Sequence, residues 1–161
     1  MKLWLIRHAK SDWGDRGLSD FDRPLNARGE RDGPVMATWL GKQSDPATWL
    51  WTSTAVRAEA TAAFVRSGFR MADSAVVRDD RLYHASPEQI LDVIRQTPAE
   101  VDSVALVAHN PGLTWLVSVP DRFSFPSGHA TAALSMALPF ALAVGGVLGW
   151  LVLLLGMLVG V

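Results

Sequence analysis

The chain has 161 residues, with 15 Lys and Arg against 16 Asp and Glu, four His and no Cys. A net charge of −1 supplies no broad basic face, which disfavours sequence-independent binding of nucleic acid. The lack of cysteine excludes disulfides, thiolate catalysis and cysteine-ligated metal centres.

Charge is distributed unevenly along the chain. All 31 charged residues lie in residues 1–122, and the 39 residues from Phe123 to Val161 contain none. The first part has the charge content of an ordinary globular domain and is long enough to bury a core of its own. The second part has no polar face that could contact water. We therefore predict a folded domain over residues 1–119 and a hydrophobic helical tail over residues 120–161.

In the first part, strand and helix patterns alternate. Strands are predicted at Lys2–Arg7, Thr48–Ser53, Ala75–Arg78 and Ser103–Ala108. Helices are predicted at Asn26–Leu40, Ala55–Ser67, Pro87–Gln96 and Pro111–Val117. Short and nearly continuous apolar strands separated by helices are typical of a parallel sheet covered on both faces. The predicted fold class is therefore α/β, three-layered, with a mostly parallel central sheet.

Several residues mark where the helices should begin and end. Asn26 can cap the first helix and Gly41 can end it, while Gly33-Pro34 should weaken or kink its middle. The second helix should end at Gly68. Ser86-Pro87-Glu88-Gln89 combines a cap, a proline in the first turn and a capping-box glutamine, which predicts the start of the third helix.

Polar side chains follow three of the predicted strands. They are Arg7-His8, the segment Ser53–Arg57 and His109-Asn110. The carboxyl ends of parallel strands meet at one edge, where ligands bind. A single histidine after a strand is more often a hydrogen-bonded structural residue. Polar side chains at the carboxyl ends of three strands favour a site. Arginine matches phosphate oxygens and a neutral imidazole can attack phosphorus, so the pocket suits phosphoryl transfer without requiring a metal.

Five segments of the chain resemble the motifs of a known family. They are Leu5–Ser11, Asp22–Gly29, Thr52–Ala62, Leu82–Ala85 and Val107–Gly112. In this order they look like the histidine phosphatase superfamily, and most like its short SixA-like phosphohistidine phosphatases. The resemblance covers about residues 1–117 and implies a phosphoglycerate-mutase-like fold.

The resemblance also implies a role for four residues. His8 would be the nucleophile that takes up the phosphoryl group, Arg7 and Arg57 would bind phosphate oxygens, and His109 would contact the phosphoryl group during transfer. It implies a metal-independent phosphatase with no cofactor, located in the cytoplasm. Its substrate would be a phosphorylated protein or a small phosphorylated molecule.

The proton donor to the leaving group is left open by the sequence. In many larger members of the superfamily that the chain resembles, a carboxylate from an inserted segment is this proton donor. No equivalent of that carboxylate stands out in the present sequence. A phosphorylated imidazole leaves more easily than an alkoxide, so a site without a strong acid fits phosphohistidine. Asp12 could donate a proton or could simply be solvated, and His84 has either a structural or a substrate-facing role.

The charge-free tail carries a second resemblance. The segment Phe123–Ala133 looks like the central motif of the type 2 phosphatidic acid phosphatase superfamily, an integral-membrane fold, with Ser127 and His129 matching a phosphate contact and a proton donor. The basic motif and the nucleophile motif of that family are missing. The tail would therefore enter a bilayer or pack on a partner, giving membrane contact through residues 123–161.

Two alternative functions follow from the tail. The first is a fragment of a membrane lipid-phosphate phosphatase that uses Ser127 and His129, and the second is a non-catalytic, membrane-tethered phosphate-binding module. Either would fit a fusion in which the N-terminal domain lacks its own last strand, unless Phe125–Gly128 stands in for that strand.

Overall fold

One six-stranded sheet forms the middle of the fold. The structure is a computed structural model that describes residues 1–118, 132–136 and 140–144, the last two stretches by the course of their backbone only. The strands are β1 (Lys2–Arg7), β2 (Trp49–Thr52), β3 (Val76–Arg78), β4 (Ser103–Ala108), β5 (Ala132–Met136) and β6 (Phe140–Val144). Their order is β3-β2-β4-β1-β5-β6, and every pair is parallel except β5 with β6. The predicted α/β fold with a mostly parallel sheet is confirmed.

Four helices connect or follow the strands. They are α1 (Ala27–Leu40), α2 (Val56–Phe69), α3 (Pro87–Ile94) and α4 (Gly112–Ser118). Two single 3₁₀ turns, Asp73–Ala75 and Asp80–Leu82, flank β3.

The helices cover both faces of the sheet because successive strand residues point to opposite sides. Leu3 and Leu5 of β1 pack in a core with α3 and α4, whereas Trp4 and Ile6 pack in a second core with α1 and α2. All six residues of β4 are buried. Central strands buried on both faces explain the nearly continuous apolar runs in the sequence.

The predicted helix caps are present. The Asn26 side chain accepts hydrogen bonds from the backbone N–H groups of Arg28 and Gly29, and Gly41 follows the last residue of α1. At α3, Ser86 and Gln89 form the complete capping box. Each cap satisfies backbone donors that would otherwise lack partners in the first helical turn.

Two glycines that were predicted to interrupt helices lie inside them. Helix α1 runs without a break through Gly33 and Pro34. Helix α2 continues past Gly68 and ends when Arg70 adopts the left-handed conformation at φ 56°. A Cβ on Gly68 would lie 2.7 Å from the carbonyl oxygen of Ala37. Glycine is therefore present at this position because the two helices approach each other closely, and not because α2 stops there.

The predicted helical tail is wrong for the two stretches that the structure describes. Ala132–Met136 pairs in parallel with β1, and Phe140–Val144 pairs with β5 as an antiparallel neighbour. An apolar run without polar periodicity fits a strand as well as a helix, and the open edge of β1 supplies backbone partners for a strand. Residues 119–131, 137–139 and 145–161 lie outside the described residues, and the boundary at residue 119 stays a prediction.

Within the described ranges, none of the helices combines the length and the apolar character needed to cross a membrane.

The contact between α1 and α2 can be tested at Gly68. We expect Gly68→Ala to lower the free energy of unfolding by about 1–3 kcal/mol, because the added methyl group meets backbone atoms that cannot rotate away. Chemical denaturation of the purified protein measures this. Ser67→Ala, one residue away on the exposed side of α2, is the control and should change the free energy of unfolding little. Equal stability of the two variants would contradict the close approach.

Candidate active site

An open cavity of about 240 Å³ lies at the carboxyl ends of β1, β2 and β4. The four residues predicted from the sequence, namely Arg7, His8, Arg57 and His109, all line it. The structure therefore brings together groups that are up to 102 positions apart in the chain, at the sheet edge where open α/β folds place ligands.

Strand pairing brings the two histidines together. In the β1–β4 ladder Arg7 pairs with Ala108, so His8 and His109 are the next residue on each strand. The backbone N–H of His8 continues the ladder by donating to the carbonyl of Ala108 at 3.1 Å. The centroids of the two imidazole rings lie 4.9 Å apart. The two rings are therefore close enough to contact one shared anion.

The contacts of His8 determine which of its nitrogens carries the proton. Nδ1 lies 2.7 Å from the backbone carbonyl of Ala9, and a carbonyl can only accept, so Nδ1 holds the hydrogen. Nε2 is left with its lone pair, which accepts a hydrogen bond from Nε of Arg57 at 3.2 Å. Burial, together with the positive charges of Arg57 and Arg7, lowers the pKa of His8 to about 4. At neutral pH the imidazole is uncharged, with Nε2 as its nucleophilic atom.

A buried threonine holds the loop that orients His8. The Thr61 hydroxyl accepts a hydrogen bond from the backbone N–H of Ala9 at 2.9 Å and donates to the carbonyl of Arg57 at 2.7 Å. Thr61 is fully buried. Through Ala9, this hydroxyl ties the residue after His8 to the first turn of α2.

His109 is held on both ring nitrogens. Nδ1 lies 3.4 Å from Nη2 of Arg57 and accepts its hydrogen, which leaves Nε2 to donate to the Ser53 hydroxyl at 2.9 Å. Burial and the neighbouring His8 and Arg57 lower the pKa of His109 to about 3. His109 is therefore a neutral hydrogen-bonding group at neutral pH.

Arg57 links these groups to an acidic residue. Its side chain is almost fully buried and donates to Oδ2 of Asp20 at 2.8 Å and to the Asp20 backbone carbonyl. Oδ2 of Asp20 also accepts from the Tyr83 hydroxyl at 2.8 Å, and Oδ1 accepts from Arg23 at 2.6 Å. Partial burial raises the pKa of Asp20, but the hydrogen bonds from Tyr83 and Arg57 outweigh it and bring the value to about 2. Asp20 therefore acts as a carboxylate that orients arginine, not as an acid.

Two further cations line the cavity without a countercharge. Among the described residues, neither Arg7 nor Lys10 has an ion-pair partner for its side chain inside this site. With the guanidinium groups of Arg57 and Arg23, they make the cavity a binding place for an oxyanion. No group of three or more His, Asp or Glu side chains with metal-binding geometry occurs in the part of the chain that the structure describes.

Sequence reasoning missed Asp20 and Trp13 of this site, and it assigned no role to Arg23, which lies inside the Asp22–Gly29 motif. They lie in the irregular segment between β1 and α1, which approaches the cavity through an isolated bridge from Ser11 to Leu25. No hydrophobic periodicity marks such residues. For Asp20 and Trp13 the available signal was the length of the segment, since a stretch of more than about 12–15 residues without helix or strand is uncommon in a compact domain and often serves a site.

Other residues considered from the sequence are placed as follows. His84 lines the cavity. Asp12 does not, and its carboxylate accepts instead from the backbone N–H of Gly14 at 2.8 Å. Ser127 and His129 lie outside the described residues, so no geometry supports a second site there.

Comparison with known proteins identifies the family. The profile of the histidine phosphatase superfamily (branch 1) matches residues 3–86, just over half of the chain. The chain belongs to the histidine phosphatase superfamily. The match includes His8 and Arg57 of the cavity.

Individual proteins and solved structures are also similar to this chain. An uncharacterised protein of Mycobacterium tuberculosis is 33% identical over 114 residues, which is 71% of this chain and 68% of that protein. A solved structure from Agrobacterium tumefaciens, described as a phosphohistidine phosphatase SixA, is 32% identical with a TM-score of 0.64 over 71% of this chain and 72% of its own. A protein histidine phosphatase SixA solved with tungstate is 25% identical, with a TM-score of 0.62 over 71% and 72% of the two chains. The chain is therefore a hydrolase of phosphate compounds.

The neutral state of the two histidines has a measurable consequence. Because His8 and His109 have folded pKa values of about 4 and 3, below the ordinary 6.5, only the unfolded chain binds protons at these residues between about pH 4 and 6.5. Their contribution to the free energy of unfolding is complete above pH 6.5 and is lost as the pH falls. We expect NMR titration of the imidazole protons to show both rings uncharged at pH 5.5, and denaturation to give lower stability at pH 5 than at pH 7. A midpoint near 6.5 for His8 would contradict this arrangement.

Proposed function

We propose that the protein is a metal-independent phosphatase that hydrolyses phosphohistidine or a phosphomonoester through a covalent phosphohistidine intermediate on His8. The observation that carries the proposal is the state of His8, which is a neutral imidazole at the cavity with its proton fixed on Nδ1 and the lone pair on Nε2. A nucleophile in this state can attack phosphorus without first losing a proton.

The proposed reaction has two displacements. The Nε2 lone pair of His8 forms a bond to phosphorus, and the bond from phosphorus to the leaving atom breaks with its electron pair. Water then attacks the phosphohistidine, the P–N bond returns its pair to Nε2, and inorganic phosphate leaves. Arg7 and Arg57 stabilise the negative charge that spreads over the equatorial oxygens. His109 contacts the phosphoryl group while it passes from the leaving atom to His8.

Anion binding itself frees the nucleophile in this scheme. Nε of Arg57 donates its hydrogen to the Nε2 lone pair of His8. A phosphoryl oxygen carries negative charge and a neutral imidazole does not, so the guanidinium cation forms the stronger hydrogen bond with the oxyanion. The guanidinium therefore turns its donors toward the bound oxyanion and releases Nε2 for attack.

The rim of the cavity favours a flat leaving group such as the imidazole of phosphohistidine. Trp13 lines the cavity and is 71% exposed, and the guanidinium carbon of Arg23 lies 3.3 Å from the centroid of its ring. Arg23 is itself fixed by the Ser11 hydroxyl, the Asp12 carbonyl and Asp20. One face of the indole is thus held against Arg23, and the outer face can stack on an incoming ring. The SixA proteins among the structural relatives support the same substrate class.

The other functions considered from the sequence have less support. A lipid-phosphate phosphatase would depend on Ser127 and His129, and a membrane-tethered binding module would depend on residues 123–161, of which only two strands are described. The lipid-phosphate alternative makes no use of the neutral histidine pair in the cavity, and a module that only binds phosphate would need no nucleophile there. The cytoplasmic location and contact with a membrane stay predictions from the sequence.

Replacement of His8 tests the proposed function. We expect His8→Ala to abolish hydrolysis of 4-nitrophenyl phosphate in the presence of a chelator, a loss of at least 10³-fold, because no other group can take up the phosphoryl group. Wild-type protein mixed with phosphohistidine substrate and quenched in alkali should carry phosphate on His8, detectable by mass spectrometry. A His8→Ala protein with unchanged activity, or phosphate found on another residue, would refute the mechanism.

Replacement of Trp13 tests the substrate class. We expect Trp13→Ala to raise KM for a phosphohistidine peptide roughly tenfold, the loss of one stacking contact, and to leave KM for acetyl phosphate nearly unchanged. Trp115→Ala is the matched control, because Trp115 is 56% exposed on α4 and does not line the cavity. An equal effect on both substrates would show that Trp13 supports the cavity without selecting the leaving group.

A further inference from the structure

We propose that His84, oriented by Asp20, is the proton donor to the leaving group. This inference rests on the proposed function and identifies a group that the resemblance left open. His84 lines the same cavity as His8 and His109. Its Nε2 lies 3.4 Å from Oδ2 of Asp20.

The position of His84 suits a group that meets the leaving atom. Its ring lies 6.0 Å from the ring of His109, tilted by only 24°, and 4.2 Å from the ring of Tyr83 in an edge-to-face contact. His109 in turn lies 4.9 Å from His8. The side chain of His84 is 57% exposed, so it stands at the outer side of the histidine pair, where the departing part of a substrate has to extend toward solvent.

The backbone at His84 is held in an unusual conformation. His84 has a φ of 52°, in the left-handed region that residues other than glycine seldom adopt. The residues on either side maintain it: Tyr83 donates its hydroxyl proton to Asp20, and the carbonyl of Ala85 lies so close to Gly112 that a Cβ there could not be accommodated. Sparsely populated backbone conformations of this kind cluster at active sites.

The other histidines of the cavity, its carboxylate and its arginines are poorly suited to donate a proton. Burial and neighbouring cations lower the pKa of His8 and His109 to about 4 and 3, and the hydrogen bonds of Asp20 hold its pKa at about 2. At neutral pH all three are already deprotonated. Arginine keeps its protons under all ordinary conditions. His84 differs from the other two histidines of the cavity because its Nε2 faces the carboxylate of Asp20.

The proton balance of the reaction closes with His84. In the first displacement the leaving atom takes the electron pair of its bond to phosphorus together with a proton from the His84 imidazolium. Neutral His84 then accepts a proton from the water that attacks the phosphohistidine on His8. Each turnover consumes one water molecule and returns His84 to its starting state. Asp20 does not exchange a proton and serves as a positioning residue for the His84 ring and for Arg57.

The dependence of the rate on the leaving group distinguishes a proton donor from a structural residue. Phenyl phosphate has a poor leaving group that needs protonation, whereas 4-nitrophenyl phosphate has a good one that does not. We expect His84→Gln to lower kcat/KM by about 100-fold or more for phenyl phosphate and by less than tenfold for 4-nitrophenyl phosphate. Because kcat/KM reports the first displacement, a change in the later hydrolysis step does not obscure the comparison. Asp80→Asn, an exposed acidic position near β3, is the control and should leave both values unchanged.

A second variant separates catalysis from backbone strain. Glycine adopts a positive φ at no steric cost, so His84→Gly should be at least as resistant to thermal unfolding as the wild type. We expect it to lose activity toward phenyl phosphate as His84→Gln does, and added imidazole to restore part of that activity. A fully active glycine variant would overturn the proposal.

The outcomes distinguish this inference from the proposed function. If wild-type protein forms phosphohistidine on His8 and His84→Gln loses the same factor with both substrates, His84 is not the proton donor and the phosphatase mechanism stands. If no phosphate is found on His8 of the wild type, both the mechanism and the role of His84 are overturned.

Discussion

The whole site depends on the buried guanidinium of Arg57. A buried charge is tolerated only where its hydrogen-bond donors are satisfied and a countercharge is close. Arg57 meets both conditions through Asp20, which accepts with its carboxylate and with its backbone carbonyl. The remaining donors point at the two histidines. One side chain therefore fixes the positions of groups from β1, α2, the end of β4 and the segment before α1.

The same guanidinium contributes to the chemical state of the histidines. Burial is the largest cause of the low pKa of His8 and His109, and the charge of Arg57 adds to it in both cases. A histidine exposed to solvent beside a phosphate dianion would tend to gain a proton and lose its nucleophilic lone pair. Fixed cations around a desolvated ring counteract this, and they remain when the anion arrives. In the proposed mechanism the cation cluster both binds the substrate and keeps Nε2 of His8 available for attack.

The sequence predicted the parts of the site that follow strands, and it could do so for a physical reason. An apolar run ending in Arg7-His8 or His109 marks both a buried strand and the sheet edge at which it ends, and the parallel topology then brings those ends together. Asp20 and Trp13 follow no periodic pattern, because an irregular segment is placed by tertiary contacts and not by local propensity. The prediction that α2 ends at Gly68 is wrong because glycine occurs both at helix ends and where two helices approach closely, and only the tertiary contact distinguishes the two. The strand character of Ala132–Met136 depends on the open edge of β1, which cannot be read from the apolar run itself.

His8 and His84 each have one feature that the core does not require. Nε of Arg57 donates to the lone pair of His8, and His84 stands in a left-handed backbone conformation beside Asp20. The backbone conformation of His84 costs stability, and neither feature is needed to complete the core, which lies in the two clusters on the faces of the sheet. An anion of two negative charges is the ligand that competes best for the guanidinium donors, because it forms several charge-assisted hydrogen bonds at once. In the proposed mechanism such an anion draws the guanidinium donors of Arg57 away from the lone pair of His8, so that binding of the phosphoryl group and exposure of Nε2 are coupled.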